Sequence, residues 1–370
     1  MSFHDFRQRR LIAAVAVAAA AAAGVALLLP TRGEADAYFV TRLVSDPGAS
    51  ALAHDAALVN AWGLAASPTG PWWTANEARG ASTLFAGDGR KQTLSVAVDG
   101  GPTGIVFNGG KSFVVRDGGV SGPARFLYAC EDGTIRGWSP TVPHGWSSVA
   151  VVAVDDGLRG AIFRGLALAT RADGSQRLYA TDFHNDRVVV FDGRWKRIVR
   201  AGAFVDPAIP TWYSPFGIRV IGEHVFVTYA SPAPVNGNDS PTGGYVDEFD
   251  LDGKLVARVD SMGALNEPWG LAMAPSGFGQ FGGDLLVANF GSGRVNAYRR
   301  QGDGWTLDGQ LPARGGRPLT VVGLWGISFG NGAMAGPKDT LFFAAGPHRW
   351  RGASELSVHG LFGSISLASR

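Results

Sequence analysis

The sequence predicts an all-β fold, a six-bladed β-propeller. Six times along the chain a glycine followed by Leu or Ile opens a short apolar strand, and the spacings between these glycines are 41, 61, 52, 53 and 56 residues. A period of about 40–50 residues made of short strands is typical of propeller blades. The composition agrees, with 53 glycines and only 17% charged residues. The repeat glycines are Gly63, Gly104, Gly165, Gly217, Gly270 and Gly326.

The third repeat shows the four predicted strands of a blade most clearly. Its inner strand spans 166–169 and its second strand spans 177–181. A polar turn at 182–186 leads into the third strand at 187–191, and the fourth lies within 195–204. Short runs rich in Val, Leu, Phe and Tyr, bounded by Gly, Asn and Asp, are typical of hairpin strands.

The repeats are longer than a minimal blade. After position 37 each averages about 55 residues, against roughly 40–45 for a compact four-stranded blade. We therefore predict three long loops, at 108–124, 231–242 and 347–357.

The sixth repeat offers only three strands before the chain ends. An apolar run at 38–44 precedes the first repeat and has no other place in the repeat scheme. We predict that it pairs into the last blade and closes the ring, because pairing the two ends removes exposed strand edges.

Residues 1–37 form a separate N-terminal segment ahead of the propeller at 38–370. Three arginines precede an uncharged apolar run at 11–29, and Ala35 and Ala37 form a small-x-small cleavage site. The run of 19 residues suits a cleaved signal peptide or an uncleaved membrane anchor. Both alternatives place the propeller outside the cytoplasm, in the periplasm or the extracellular space, with membrane attachment through this segment in the second.

Charge and cysteine content exclude some partners and linkages. The net charge is +2 and no basic cluster occurs, so nucleic acid is not an expected partner. Cys130 is the single cysteine, which excludes an intrachain disulfide. It lies in an apolar strand at 126–130, so we predict a buried, inert thiol. We expect a monomer.

Two resemblances support this fold. The segment 178–192 is similar to an NHL-type propeller repeat. More specifically, the chain resembles the TIGR03118 family of uncharacterised exported bacterial β-propeller proteins. That resemblance implies the propeller fold and export, and it implies no substrate, cofactor or catalytic residue. It is carried by the segments 58–65, 71–76, 131–135, 341–347 and 360–365.

Polar residues cluster in the predicted loops of one propeller face. The loops that enter inner strands and the loops that leave second strands share that face, where propeller ligand sites gather in the central funnel. The residues expected around the funnel are Asn60, Asn76, Glu77, Glu131, Arg164, Asp182, His184, Ser214, Asn266, Glu267 and Asn289. Among them we take Asn60, Asn76, Asp182, Asn266, Glu267 and Asn289 as the ligand-binding set.

Oxygen-bearing side chains in this set would suit a hard cation such as Ca²⁺, which takes six to eight oxygen ligands. The candidate metal ligands are Asn60, Asn76, Glu267 and Asn289. Turn chemistry is the alternative for Asn76, Asn289 and Asp182, because Asn and Asp side chains bond the backbone of tight turns. Glu267 either caps its loop or binds the ligand.

His184 is the candidate general base, since Asp182 and Asp186 stand two residues to either side. A solvated turn histidine is the alternative. His348 lies on the predicted final loop, where it either overhangs the funnel or is solvated.

Aromatic residues stand directly before four of the repeat glycines: Trp62, Phe216, Trp269 and Trp325. We predict that they pack between blades, because large rings contribute most by burial. A stacking platform for sugars or aromatic ligands is the alternative.

The sequence supports two functions of different class. The first is a non-catalytic module that binds a small molecule or a protein at its funnel or rim. The second is a Ca²⁺-type hydrolase or lactonase with its site at the funnel. The chain contains no Gly-x-Ser-x-Gly elbow, no phosphate-binding glycine loop and no Cys-x-x-Cys-His, and the binding module is therefore favoured.

Overall fold

In a computed structural model of the protein, the described residues are 36–47, 50–145, 147–231, 243–346, 348–351 and 354–368, with the backbone alone for 348–351 and 354–358. They form a six-bladed β-propeller of antiparallel blades. The predicted signal peptide or anchor and most of the 231–242 loop lie outside the described residues.

The strands follow the repeats. Ahead of the first blade stand β1 (Tyr38–Ser45) and β2 (Ala53–His54). Blade one consists of β3 (Ala61–Ala66), β4 (Trp72–Asn76), β5 (Ala81–Phe85) and β6 (Lys91–Ala97). Blade two begins with β7 (Pro102–Phe107), is interrupted by the hairpin β8 (Val114–Asp117) and β9 (Val120–Pro123), and continues with β10 (Phe126–Cys130), β11 (Thr134–Trp138) and β12 (Val151–Asp155).

The remaining blades repeat the pattern. Blade three consists of β13 (Phe163–Thr170), β14 (Gln176–Asp182), β15 (Arg187–Asp192) and β16 (Arg197–Ile198), and blade four of β17 (Ser214–Ile221), β18 (His224–Ala230), β19 (Tyr245–Asp250) and β20 (Leu255–Ser261). Blade five consists of β21 (Pro268–Met273), β22 (Leu285–Asn289), β23 (Val295–Gln301) and β24 (Gly304–Gln310). Blade six contains β25 (Leu324–Phe329), β26 (Leu341–Ala345), the inserted hairpin β27 (His348–Arg351) and β28 (Ser354–Val358), and β29 (Leu361–Leu367).

Helical structure among the described residues consists of single 3₁₀ turns, at Glu77–Arg79, Gly157–Arg159 and Gly279–Phe281. No helix in this part of the chain is long and apolar enough to cross a membrane.

The repeat glycines mark the closest approach between neighbouring inner strands. A Cβ on Gly217 would lie 2.1 Å from the carbonyl oxygen of Trp269, and one on Gly270 would lie 2.4 Å from that of Trp325. The contact runs around the whole ring, since a Cβ on Gly326 would lie 2.8 Å from the carbonyl oxygen of Trp62. Any side chain at these positions would push two blades apart.

A threonine on the second strand supports this approach in two blades. The hydroxyl of Thr181 accepts from the backbone N–H of Gly165 at 2.6 Å and donates to the carbonyl of Phe216 in the next blade at 2.7 Å. The hydroxyl of Thr228 accepts from the N–H of Gly217 at 2.8 Å. The inner strand bulges here, so its free N–H groups need these side-chain partners.

Apolar side chains fill the space between blades. Leu127 and Ala129 of blade two, for example, pack in one buried cluster with Leu178 and Phe191 of blade three. Cys130 is buried in a strand, and burial raises the pKa of its thiol to about 12. It is therefore the inert thiol that the sequence predicts.

The N-terminal strand β1 lies in the last blade, as the outer neighbour of β29. The two strands are antiparallel, with Tyr38 opposite Leu367 and Ser45 opposite Leu361. Tyr38 also contacts blade five, because its hydroxyl donates to the carbonyl of Phe278 at 2.7 Å.

Two of the predicted loops contain strands. The segment 108–124 includes the hairpin β8–β9, and 347–357 includes most of the hairpin β27–β28. The repeat length indicated where these two insertions lie, but not that each contains a hairpin, since neither hairpin belongs to the repeat.

Deletion of residues 38–45 should strongly destabilise the propeller. The truncation removes the buried side chains of Leu43 and Val44 and leaves β29 as a bare edge. We expect the melting temperature of a 46–370 protein to fall by about 10 °C or more relative to 38–370. Phe39→Ala is the matched control, because this ring of β1 is 46% exposed. Equal melting temperatures for the two lengths would contradict a ring-closing role for β1.

Candidate functional site

The residues before four repeat glycines form an aromatic cluster with two further rings. We call this cluster the aromatic plug. It consists of Trp62, Phe216, Trp269 and Trp325, with Phe183 and Phe290 packed against them.

The rings of the plug contact one another on the propeller axis. Trp62 and Trp325 stack with ring centroids 3.5 Å apart, and Phe290 stacks on Trp325 at 3.8 Å. Trp62 of blade one also meets Phe216 of blade four edge-on at 6.3 Å, although these blades lie on opposite sides of the ring. The four rings are buried and contact rings of neighbouring blades, as the packing prediction expects, but they meet on the axis and not in the seams between blades. Backbone contact at the glycines leaves no room there, so the rings extend to the axis.

Blade three places an arginine where four other blades place an aromatic ring. Arg164 precedes Gly165, and its guanidinium carbon lies 5.1 Å from the centroid of the Trp62 ring and 5.6 Å from that of Phe183. Burial lowers the pKa of Arg164 to about 10, and the nearby Glu77 carboxylate partly opposes this. The arginine thus stays charged at neutral pH and covers the plug through cation–π contacts.

Two carboxylates accompany this arginine. Glu131, which follows β10, forms an ion pair with Arg164. Glu77, which follows β4, accepts a hydrogen bond from the side-chain amide of Asn60 at 2.6 Å. Both carboxylates border Gly101, where a Cβ would lie within 3.5 Å of each. These side chains are half-buried and sit where inner strands begin and second strands end, which we call the loop face.

Glu267 lies at the entrance to blade five on the same face. Its backbone is held by hydrogen bonds from its N–H to Gly243 and from the N–H of Phe290 to its carbonyl. Burial raises the pKa of its carboxyl group to about 7. Among the described residues no hydrogen bond or ion pair engages this carboxyl group, so it does not cap its loop in the arrangement seen here.

In four blades, the residue three positions before the repeat glycine adopts the left-handed backbone conformation. Glycine occupies this position in blades two and six, at Gly101 and Gly323 with φ of +73° and +69°. Asn60 and Glu267 occupy it in blades one and five, with φ of +49° and +50°. Asn tolerates this region, whereas Glu carries a cost of about 1 kcal/mol or more. Among these four entrance residues Glu267 is the one that is neither Gly nor Asn, although Phe113, Trp195, Phe204 and Met262 adopt the same conformation elsewhere in the described chain.

Six buried polar atoms at the plug have no hydrogen-bond partner within the described part of the chain. Buried polar groups are normally paired, so a concentration of such atoms indicates a place for water or a ligand. Two of them, the Trp325 Nε1 and the Asn60 Oδ1, lie within 3.1 Å of the point that a Cβ on Gly346 would occupy. The six are Nε1 of Trp62, Trp269 and Trp325, Nε of Arg164, and Oδ1 of Asn60 and Asn266.

The side chains of the three predicted binding residues at hairpins form hydrogen bonds within their own blades. Asn76 accepts from the hydroxyl of Thr74 and donates to that of Thr83, both at 2.8 Å. Asp182 accepts from Asn185 and Arg187, at 2.9 Å each. Both side chains are therefore engaged within their own blades, by side-chain partners of the hairpin and not by the turn backbone that the alternative predicts.

Asn289 positions the loop that carries Glu267. Its side-chain oxygen accepts from the backbone N–H of Asn266 at 2.8 Å, and its amide donates to the carbonyls of Val287 and Arg294. The structure therefore brings Asn60, Asn266 and Glu267 to the loop face, with Asn289 behind them.

The predicted Ca²⁺ ligand set is divided by this arrangement. Asn60 and Glu267 belong to the loop face, whereas Asn76 and Asn289 are occupied within their own blades. Across the described ranges no group of three or more His, Cys, Asp or Glu side chains is placed to hold a metal ion.

The candidate general base His184 is not brought to the plug. His184 is exposed in the hairpin between β14 and β15, beside Gly160. Its neighbour Asp182 pairs with Arg187, and the hydroxyl of Ser214 donates to Asp186. The side chain of His348 lies outside the described residues.

Comparisons with known proteins give a family without an assigned activity. The chain is 33% identical over 304 residues to uncharacterised protein R648 of Acanthamoeba polyphaga mimivirus, covering 78% of this chain and 73% of that protein. It is 30% identical over 304 residues to uncharacterised protein L690 of the same virus, covering 78% of each. The chain belongs to the family of these proteins. No family model matches it.

Solved structures show the same fold at low sequence identity. The apo-form of the soluble aldose sugar dehydrogenase from Escherichia coli aligns with a TM-score of 0.51 and 14% identity, covering 89% of this chain and 99% of that one. A streptogramin B lyase aligns with a TM-score of 0.49 and 9% identity over 90% and 98% of the two chains. At 14% identity the likeness to the dehydrogenase shows the propeller fold alone.

The stability of the protein should depend on the charge of Glu267. Between pH 4.5 and about 7 the folded state holds a proton that the unfolded state releases, so stability falls as pH rises through this window. Glu267→Gln removes that loss and leaves the backbone strain unchanged. We expect the variant to exceed wild type in unfolding free energy at pH 8 by about 1–3 kcal/mol, with no excess near pH 4.

Denaturant unfolding at both pH values checks this expectation. The exposed Glu223→Gln is the control and should show no such pH-dependent difference. A Glu267→Gln effect of equal size at pH 4 and pH 8 would contradict the burial of an unpaired carboxylate.

Proposed function

We propose that the protein is a ligand-binding propeller that works outside the cytoplasm and holds a small, hydroxyl-rich molecule at its loop face. The observation that carries this proposal is the group of six unpartnered, buried polar atoms at the aromatic plug. The N-terminal sequence supports the location, because either a signal peptide or an anchor directs the propeller out of the cytoplasm.

The chemistry of the loop face favours a ligand that both donates and accepts hydrogen bonds. Indole and guanidinium N–H groups donate, whereas the side-chain oxygens of Asn60 and Asn266 accept. A hydroxyl group can pair with either kind. Glu131 neutralises Arg164, so the site does not require a charged partner. A monosaccharide has these properties, and its C–H faces suit aromatic surfaces.

The charged residues around the plug suit capture from solution. Arg164, Glu77 and Glu131 are half-buried and border the plug. A ligand seated between them would meet preformed side chains of blades one, two and three, and a rigid site of this kind loses little affinity to ordering.

Tryptophan fluorescence of the full chain offers a direct test. We expect at least one sugar of a panel of D-glucose, D-galactose, D-mannose, D-xylose and L-arabinose to produce a saturable emission change. Asn266→Ala and Arg164→Gln should each weaken binding at least tenfold, because one lost hydrogen bond to a buried group is worth about 1–3 kcal/mol. Arg194→Gln, at an exposed arginine of another hairpin, is the matched control.

Two results would contradict the proposal. One is an emission spectrum that no sugar of the panel changes, and the other is unchanged affinity in both variants. D-glucono-δ-lactone added to the panel tests the hydrolase alternative, which the raised pKa of Glu267 favours. Hydrolysis lost in Glu267→Gln, and lost on chelation of Ca²⁺, would identify a metal-dependent lactonase instead.

A further inference from the structure

The central channel contains a cavity on the other side of the aromatic plug. Its volume is about 470 Å³, within the range of small-molecule sites. The inner strands of all six blades line it, with four of the repeat glycines (Gly63, Gly104, Gly270 and Gly326) and residues that follow the glycines in every blade. The plug residues precede those glycines, so the cavity occupies the channel beyond the plug as seen from the loop face.

Arg219 is the one charged side chain among the residues that line this cavity in the described structure. It stands two residues after Gly217. The corresponding positions of the other five blades are uncharged and mostly small: Ala65, Val106, Ala167, Ala272 and Ser328. Their small size leaves space for a long side chain from blade four.

The guanidinium group of Arg219 reaches across the channel. Its Nη2 donates to the hydroxyl of Ser328 in blade six at 3.1 Å, past the intervening blade five. The planar group has five N–H donors in a fixed fork, and the other donors are not used by any carboxylate of the described residues. The fork geometry matches a carboxylate, which accepts two parallel hydrogen bonds.

The positive charge is not compensated by the protein around it. The lining residues described for the cavity include no Asp or Glu. Burial lowers the pKa of Arg219, and no carboxylate raises it again. Arg219 is half-buried and its guanidinium stays protonated at neutral pH, so a full positive charge faces the cavity with no carboxylate of the described lining beside it. A bound anion would pair with that charge.

We infer that the channel is a binding site for a small organic monocarboxylate. The carboxylate pairs with Arg219, and the body of the molecule lies against apolar inner-strand residues such as Leu64, Ile105 and Phe107. This site is distinct from the loop-face site, because the two lie on opposite sides of the plug, with Trp269 of the plug bordering both.

Calorimetric titration of the full-length protein with sodium hexanoate tests the inference. We expect saturable binding to wild type, at least tenfold weaker binding to Arg219→Gln, and an intermediate affinity for Arg219→Lys, which keeps the charge but not the fork. Arg194→Gln should bind like wild type. Arg219→Gln should also be at least as stable as wild type without ligand, since an uncompensated charge is removed.

Two further probes identify the source of any binding. 1-Hexanol matches the chain length of hexanoate without its charge, and sodium sulfate supplies an inorganic anion. Weak or absent binding of both supports the inference. The inference is overturned if wild type does not bind hexanoate, or if Arg219→Gln binds hexanoate as tightly as wild type does. It is also overturned if wild type binds 1-hexanol as tightly as hexanoate, or if sulfate displaces hexanoate at equal concentration. Should Arg219→Gln fail to fold, the comparison of Arg219→Lys with Arg194→Gln decides.

Discussion

The close approach of neighbouring inner strands at the repeat glycines determines the rest of this structure. At each of these positions a Cβ would lie within 3 Å of a backbone atom of the next blade or of a side chain packed there. The inner strands can therefore meet only through bare backbone. The large side chains just before a glycine extend to the axis, whereas the small Thr103 before Gly104 stays between blades two and three and donates to the carbonyls of Ala129 and Phe163. Residues after the glycines line the channel. The plug and the cavity are two consequences of this one constraint.

In each of the two regions, the equivalent positions of the six blades hold one arginine and five uncharged residues. Arg164 precedes its glycine and is accompanied by Glu131 and by the aromatic rings it covers. Arg219 follows its glycine and has only the hydroxyl of Ser328. The two arginines therefore play different parts. Arg164 organises the loop face together with its acidic neighbours, whereas Arg219 is the residue proposed to bind an anion from outside the chain.

The fold could be predicted from the sequence because it depends on a repeat. The six glycines and the apolar strands after them define the blades, and the surplus run at 38–44 has no place except beside β29. The inserted hairpins β8–β9 and β27–β28 could not be predicted in this way, since they lie outside the repeat.

The candidate site could be predicted only in part. Loop order places Asn60, Asn266 and Glu267 on one face, and the structure agrees. Loop order alone does not show whether an asparagine side chain faces the funnel or forms hydrogen bonds within its own blade, as Asn76 and Asn289 do. That choice depends on neighbouring hydroxyl and backbone groups in three dimensions. Arg219 is the one charged residue two positions after a repeat glycine, but the sequence does not indicate that this position faces a cavity.

The most direct test of this account is the unfolding free energy of Gly217→Ala and Gly270→Ala, compared with Gly304→Ala. At the first two sites the added methyl group meets a carbonyl oxygen at 2.1 and 2.4 Å, whereas at Gly304 the nearest atom lies 3.9 Å away. We predict a loss of about 2 kcal/mol or more for each of the first two, with a weakened near-ultraviolet signal from the tryptophan rings, and a change within about 0.5 kcal/mol for the third. Equal effects at all three sites would show that backbone contact at the repeat glycines does not hold the ring and the plug in place.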